Sequence, residues 1–453
     1  MSFEIVFLGG TREIGANSVY ICAGGTGIII DAGLHPEKRN RSAFPDFSII
    51  AEKPTDLLIL THAHTDHIGA IPFALKYFSH LRLFMTYPTR DLIEIMLRDT
   101  SKLLKSEITS EFPADALSLY QPETLERINM LAESFDYGQK IEYRGRSGEK
   151  QVSITLFPAG HILGSASVLI EYEGKALLHT GDINFEEQYV LPGAAIPQHH
   201  LDCLITESTN AAGKLQKDMK KEEKRLTNYI NKIVDGNGSI LMPAFALGKT
   251  QEMLKLLYRL MYKCTIPNLP IYTGGLAKKI SRVYDKYCYT VPMLEPGFEI
   301  SDIPQEKIIY DELYTGKYFK ESAILVLPSG MMNRGTLTHR LAYEWFRRKN
   351  FGIAIVGYQS PDSPGSVLLN SETGKIFEFG SRKVERRCSL ERFRFSSHAS
   401  FNGIYNYILQ TKPKELFIFH GSDESCDALA ESVSDSRLPT KIHVAEQGRE
   451  YRI

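Results

Sequence analysis

Three histidines and an aspartate crowd into six consecutive positions of this chain, His62, His64, Asp66 and His67 in THAHTDH, directly after the apolar run 56–60. That run reads as a buried strand and 68–77 carries helical apolar spacing, which places the cluster on a strand-to-helix loop. Imidazole and carboxylate groups alternating on a tight turn suit two divalent cations shared between them. The chain has only 13 histidines, so three within six residues argue for a metal site rather than a polar capping loop.

The surrounding texture changes once along the chain. Residues 3–8, 18–22 and 27–30 are short β-branched and aromatic runs divided by glycine-rich turns, the pattern of hairpins. From 91 to about 133 the spacing of Leu92, Ile95, Met96, Leu103 and Leu104 is helical, and strands return through His179. Near Glu207 begins a mixed-charge helix, KLQKDMKKEEKR, followed by four strand–loop–helix units. These are 240–242 before GKTQEMLKLLYRL, 269–272 before AKKISRVY, 323–327 before a helix near His339, and 353–356 before SVLLN. Such alternation needs crossovers and hence a parallel sheet covered by helices, so a separate inserted domain is expected. The stretch 381–395, SRKVERRCSLERFRF, is locally basic; its run from Arg382 to Arg394 could line the approach to a site and pair with phosphates, but with Glu385 and Glu391 interleaved it reads as a solvated strand face.

At 43% hydrophobic and 24% charged residues over 453 positions, extended disorder and fibrous repeats are excluded. Lysine and arginine total 53 against 54 acidic residues, so an anionic partner must be held by a local basic groove or by metals. Six scattered cysteines without a C-x-x-C pair imply neither a disulfide framework nor a cysteine zinc knuckle, and a reducing cytoplasm is the expected location. The start, MSFEIVFLGGTREIG, has no targeting character, and no run of about 18 apolar residues exists to span a bilayer.

His161 in PAGHILGSAS and Asp182 in HTGD each follow a strand and adjoin glycine, where the backbone can turn a side chain inward. Alone each reads as a capping or turn residue; beside the cluster they read as ligands. His35, His80, His179, His199, His200, His339 and His443 have no motif support and read as surface or packing histidines.

Together, FLGGTREIGANSVYI, IDAG, THAHTDHIGAIP, PAGHILGSAS and HTGD resemble the successive motifs of the metallo-β-lactamase fold. TESTN, PAFALGKTQE, PSGMM, FSSHAS and FHGSDE resemble its β-CASP branch of nucleic-acid-processing proteins, so the resemblance covers essentially the whole chain. It implies an α/β protein: an αββα sandwich from 1–208 and 391–453, with an α/β, parallel-sheet β-CASP domain inserted at 209–390. It also implies two Zn2+. Carried over by motif, His62, His64 and His161 would bind one zinc, Asp66, His67 and His420 the other, and Asp182 would bridge them. Asp31 in IDAG would orient the set from behind, its plain alternative being a turn aspartate.

The resemblance further assigns His398 as proton donor to the leaving sugar oxygen, with Glu207 hydrogen-bonded behind it and Asp66 completing the catalytic set. Without it, His398 is a helix-start residue and Glu207 a strand-end acid. Ser329 and Gly330 in PSGMM would offer backbone N–H groups to a phosphate, and Lys249 in ALGKTQE its charge, where a structural turn and an ordinary helix-start lysine are the alternatives.

A dinuclear core alone would equally serve a thioester or lactam hydrolase. The inserted domain with Glu207, His398 and His420 moves the expectation to phosphodiesters, and by resemblance a histidine in the last motif favours RNA over DNA. The expectation is a zinc-dependent ribonuclease cutting single-stranded RNA, mainly endonucleolytically, with a 5′-to-3′ exonuclease mode left open. A DNA nuclease, a small-molecule hydrolase on the same core, and a non-catalytic scaffold subunit are the alternatives; no membrane is expected, and a homodimer or a processing-complex partner stays open. Three features depart from the family pattern without touching a ligand: Asn210 after EST, Ser400 after HA, and the two prolines of GYQSPDSPGS.

Overall fold

Along the strand Glu415–Phe419, Phe417 and Phe419 enter one apolar core while Leu416 and Ile418 enter another, the period-two alternation of a sheet covered on both faces. Leu177 and Leu178, and Ile205 and Leu204, divide in the same way. The computed structural model describes residues 3–38, 40–106, 118–214, 218–308 and 321–453. The chain forms two compact units, one of Met1–Glu187, Leu191–Gln216 and His398–Ile453, the other of Gln188–Val190 and Lys217–Ser397.

In the first unit, one seven-stranded sheet runs in the order Glu450–Arg452, Phe3–Gly9, Ser18–Ala23, Thr26–Ile30, Leu57–Ile59, Arg82–Thr86, Ala132–Phe135. The other runs Lys441–Val444, Glu415–Phe419, Cys203–Glu207, Lys175–His179, Ala166–Tyr172, Val152–Pro158, Lys140–Tyr143. Their facing sides share one core, with Ile5, Phe7, Ile21 and Ile59 from the first and Ile154, Val168, Ile205 and Phe417 from the second. Helices Phe401–Thr411 and Asp423–Asp435 lay Ile404, Ile408, Leu429 and Val433 over the outer side of the second sheet. Helix Tyr87–Ser106 packs against Arg82–Thr86 of the first. The result is the αββα sandwich. Among the described residues no helix is long and apolar enough to cross a membrane.

Two helical expectations are modified. The stretch 91–133 is helical at Tyr87–Ser106 and Pro122–Leu131, but Glu133 lies in the strand Ala132–Phe135, paired in parallel with Arg82–Thr86; residues 107–117 lie outside those described. Closing the sheet edge outweighs helical spacing there. The helix expected over 68–77 divides into Thr65–Ile68 and Ile71–Tyr77 at Gly69, where a Cβ would stand 2.5 Å from both Leu34 Cβ and Thr65 O.

The second unit is built on a six-stranded sheet ordered Glu306–Lys307, Ile271–Thr273, Ile324–Leu327, Ile240–Pro243, Gly352–Ile355, Ser389–Arg392, with every pairing parallel. Leu325, Leu327, Ile353 and Ile355 pack with Trp345 and Phe346 of helix Leu337–Phe346. The basic stretch 381–395 is not one solvated face. Arg382–Glu385 pairs antiparallel with Ile376–Phe379, Ser389–Arg392 joins the sheet, and Arg386 between them is buried, donating to the carbonyls of Cys388 and Ser371. Three acceptors, the carbonyls of Cys388 and Ser371 and the Ser371 hydroxyl, hold that guanidinium inside.

Candidate metal centre

Strand Cys203–Glu207 pairs in parallel with both Lys175–His179 and Glu415–Phe419, and Glu207 stands opposite Phe419. The carboxyl ends of the three strands are therefore adjacent, and Asp182, Glu207 and His420 leave the sheet together. Tight geometry aims them: Gly181 has φ +58°, His420 itself has φ 51°, and a Cβ at Gly421 would lie 2.3 Å from Ser208 Oγ. His62 follows Leu57–Ile59, His64 precedes helix Thr65–Ile68, and Asp66 and His67 lie within it. His161 follows Val152–Pro158, its N–H donating to Ser165 Oγ at 3.1 Å.

Three groups form from these residues. Ligand-capable atoms of His62, His64, His161 and Asp182 lie within 4.8 Å of one another, as do those of Asp66, His67 and His420, and those of Asp182, Glu207 and His398. His64 Nδ1 is 3.2 Å from His62 Nε2 and 3.1 Å from His161 Nε2. Asp182 Oδ2 faces that first set, 3.5 Å from His62 and 3.6 Å from His161. Its Oδ1 faces the second, 3.3 Å from His67 Nε2 and 3.1 Å from His420 Nδ1. Asp66 Oδ2 closes the second set, 3.5 Å from His420 and 3.8 Å from His67.

This donor set fits cations. Asp182 Oδ1 and His420 Nε2 are buried without a hydrogen-bond partner, a state that normally costs about 1–3 kcal/mol per group. The imidazole nitrogens of His62, His64 and His161 converge on one another, an arrangement that suits joint ligation of one cation. Burial would raise the Asp182 carboxyl, yet His420, His67, His398 and His62 outweigh it and hold Asp182 well below the usual carboxylate range. Burial likewise opposes charge on His67, but Asp182, Asp31 and Asp66 push its imidazole well up. The field of three carboxylates thus draws positive charge to this point, as a proton on His67 or as a cation held by it.

Further side chains brace the ligands. Asp31 Oδ2 is 2.7 Å from His67 Nδ1, and Asp31 also accepts from the backbone N–H and hydroxyl of Thr61. Glu207 carries His398 Nδ1 at 2.9 Å and accepts from Ile183 N–H at 2.7 Å. Asn17, Thr61 and Asn210 were not singled out as site residues from sequence. Asn17 Nδ2 reaches Asp66 O and His67 Nε2, each at 3.1 Å, and Asn210 Nδ2 donates to Ala399 O at 3.1 Å and His398 O at 3.4 Å. The only local signals were the Asn-Ser after a glycine-rich turn and the unusual residue after EST. Ser400 caps helix Phe401–Thr411 and donates to Glu186 Oε1 at 2.6 Å.

The remaining expected site residues belong to the second unit. Lys249 is buried at the start of helix Lys249–Tyr262, its ammonium donating to Phe395 O and Ser397 Oγ. Ser329 N–H donates to Thr338 Oγ1 at 3.2 Å, and Gly330 O accepts from Gln359 Nε2 at 2.9 Å.

Sequence models of known families match along most of the chain: the metallo-beta-lactamase superfamily over residues 11–218, the Beta-Casp domain over 250–368, and the Zn-dependent metallo-hydrolase RNA specificity domain over 383–445. The chain belongs to the β-CASP branch of the metallo-β-lactamase superfamily. This β-CASP protein is 30% identical to Cleavage and polyadenylation specificity factor subunit 3 of Dictyostelium discoideum, over 95% of this chain and 54% of that protein. It is 28% identical to an RNase J-like protein of Methanocaldococcus jannaschii over 97% of both, and 29% identical to Endoribonuclease YSH1 of Candida glabrata over 92% of this chain and 55% of that one. The chain thus spans little more than half the length of the Dictyostelium and Candida relatives. A protein of unknown function from Enterococcus faecalis V583 shares the fold over all of both chains, with a TM-score of 0.57 at 13% identity.

Proposed function

We propose that this β-CASP protein is a zinc-dependent ribonuclease that hydrolyses phosphodiester bonds of single-stranded RNA, mainly by internal cuts. The observation that carries the reading is His398, held on Glu207 at 2.9 Å with its Nδ1 3.9 Å from Asp182 Oδ2. A proton donor thereby adjoins the carboxylate shared by both metal-capable sets. Two relatives bear ribonuclease names and one family model is described by RNA specificity, which favours RNA among phosphodiesters.

In this reading His62, His64, His161 and Asp182 hold one zinc, and Asp66, His67, His420 and Asp182 the other. Bound there, two zinc ions supply a water activated at neutral pH and stabilise charge on phosphate oxygens. Asp31 fixes the His67 ring by its hydrogen bond to Nδ1, so that Nε2 faces the second set. Glu207 likewise occupies His398 Nδ1, leaving Nε2 to give its proton to the departing sugar oxygen as the P–O bond breaks. Burial would lower the His398 imidazole, but Glu207 and Asp182 override it and push it up to about 9, so it carries that proton at neutral pH. A cytoplasmic site of action accords with six free cysteines, and a 5′-to-3′ exonuclease mode belongs to the same reading.

The test is cleavage of end-labelled single-stranded RNA and matched DNA by purified protein, with zinc supplied or chelated and Asp66→Ala, His67→Ala protein alongside. Internal cuts in RNA that vanish in the variant are expected. Cleavage of DNA alone, or of neither by protein holding two zincs, would sink the proposal.

A further inference from the structure

In the second unit, the turn Gly380–Ser381 of the antiparallel pair Ile376–Phe379 and Arg382–Glu385 meets helix Leu337–Phe346 at His339. The His339 imidazole stacks on Phe379 with centroids 4.7 Å apart and planes at 15°, and stands edge-on to Tyr343. It is 8% exposed, and its Nε2 has no hydrogen-bond partner. That nitrogen faces the turn: a Cβ on Gly380 would lie 2.7 Å from it.

Three arginines close around this point. Arg334 donates to Gly380 O at 2.9 Å. Arg382 stands opposite Phe379 in register and lays its guanidinium 5.3 Å from the Tyr343 ring centre. Arg340 is the residue after His339 in the first turn of the helix. All three are exposed, and none forms an ion pair among the described residues. Of the carboxylates on these elements, Glu344 pairs with Arg347 at 3.7 Å and Glu385 with Arg387 at 2.9 Å, while Glu378 of the hairpin forms no ion pair among the described residues. Burial and the charges of Arg334, Arg340 and Arg382 hold His339 below its ordinary range.

Three unpaired guanidiniums repel one another, and a chain with net charge −1 has no general excess of arginine to scatter there. Planar guanidinium forks match phosphate oxygens, and a helix N-terminus adds a favourable dipole. We propose that Arg334, His339, Arg340 and Arg382 form a phosphate-binding site that holds the backbone of an RNA strand at a phosphate other than the one being cleaved. This rests on the ribonuclease reading above and adds to it a contact outside the metal centre. The same chemistry would accept a free phosphate ion, so the test separates the two sources.

The experiment compares the full chain with an Arg334→Gln, Arg382→Gln double variant, an Arg334→Lys, Arg382→Lys variant and an Arg347→Gln control. Binding of a cleavage-resistant 2′-O-methyl RNA of about 20 nucleotides is followed between roughly 50 and 200 mM salt. The Gln variant is expected to weaken binding roughly tenfold at low salt and to flatten the log–log salt slope by about 1.4, near 0.7 per lost phosphate contact on a single strand. The Lys variant keeps the slope, the control matches the parent, and cutting of a short RNA at saturation is unchanged in all. An unaltered slope and affinity in the Gln variant, with parent protein that does bind the RNA, overturns the site. Inorganic phosphate bound calorimetrically by the parent and not by the Gln variant, with RNA binding unaltered, overturns the RNA assignment in favour of a free anion. Parent protein that binds no RNA sinks the ribonuclease reading itself.

Discussion

His398 Nδ1 lies 2.9 Å from Glu207 Oε2, although 191 residues separate them in sequence. Glu207 is fully buried at the end of its strand, whereas the His398 side chain is 22% exposed, so the carboxylate acts from behind on an imidazole that substrate can reach.

The pH dependence of cleavage follows from that pair. A proton donor works while protonated, so the rate should hold below the His398 pKa of about 9 and fall as pH rises through it. Glu207→Gln removes the charge that raises the imidazole, and the alkaline limb should move toward the ordinary histidine value of about 6.5. A kcat profile from pH 6 to 10 for both proteins reads this directly. A limb that stays in place would rule out His398 as the donor.

The same shift bears on stability. A histidine raised on folding stabilises the protein fully below its unfolded pKa of about 6.5 and loses that contribution as pH rises through the folded value. In chelated protein the thermal midpoint of Glu207→Gln should therefore fall short of the parent's most at acid pH, with the two converging above about pH 9.

Metal removal should destabilise the first unit, since it leaves Asp182 Oδ1 and His420 Nε2 buried without partners. At zinc a hundredfold above its Kd, a single site contributes about 2.7 kcal/mol. Calorimetric scans with chelator should show a lower midpoint that added zinc restores, and Asp182→Asn should abolish the restoration.

His420→Ala removes one of the three residues of the second set and leaves the first set, Asp182 included, intact. Zinc content by elemental analysis is expected to drop from two per chain toward one, with the fold retained. Two tightly held zincs in that variant would contradict the assignment.

Asn210→Ala should lower kcat roughly tenfold with little change in KM, because about 1.4 kcal/mol of positioning is lost when the carbonyls of His398 and Ala399 lose their donor. Steady-state kinetics on a short RNA decide it.

The contiguous ligands were legible because His62, His64, Asp66 and His67 share one turn, and their chemistry does not depend on distant pairing. Asn17 was not, since its contact with His67 spans 50 residues and exists only once the first hairpin packs beside helix Thr65–Ile68. His339 reads from the sequence as a surface or packing histidine; stacking on Phe379 accords with packing, but Arg382, which joins Arg334 and Arg340 around it, comes from a distant strand. Glu133 fell in a strand because sheet closure, a long-range gain, overrode local helical spacing.

Residue types and local spacing by themselves determined which side chains can hold cations and that a hairpin-rich region is followed by strand–helix alternation. Only the tertiary structure decided that Asp182 presents one oxygen to each ligand set, and that Glu207 sits behind His398. Those relations depend on the parallel register of Cys203–Glu207 with Lys175–His179 and Glu415–Phe419. That register is chosen by burying alternate residues in two cores at once, a cooperative outcome that no short stretch of sequence contains.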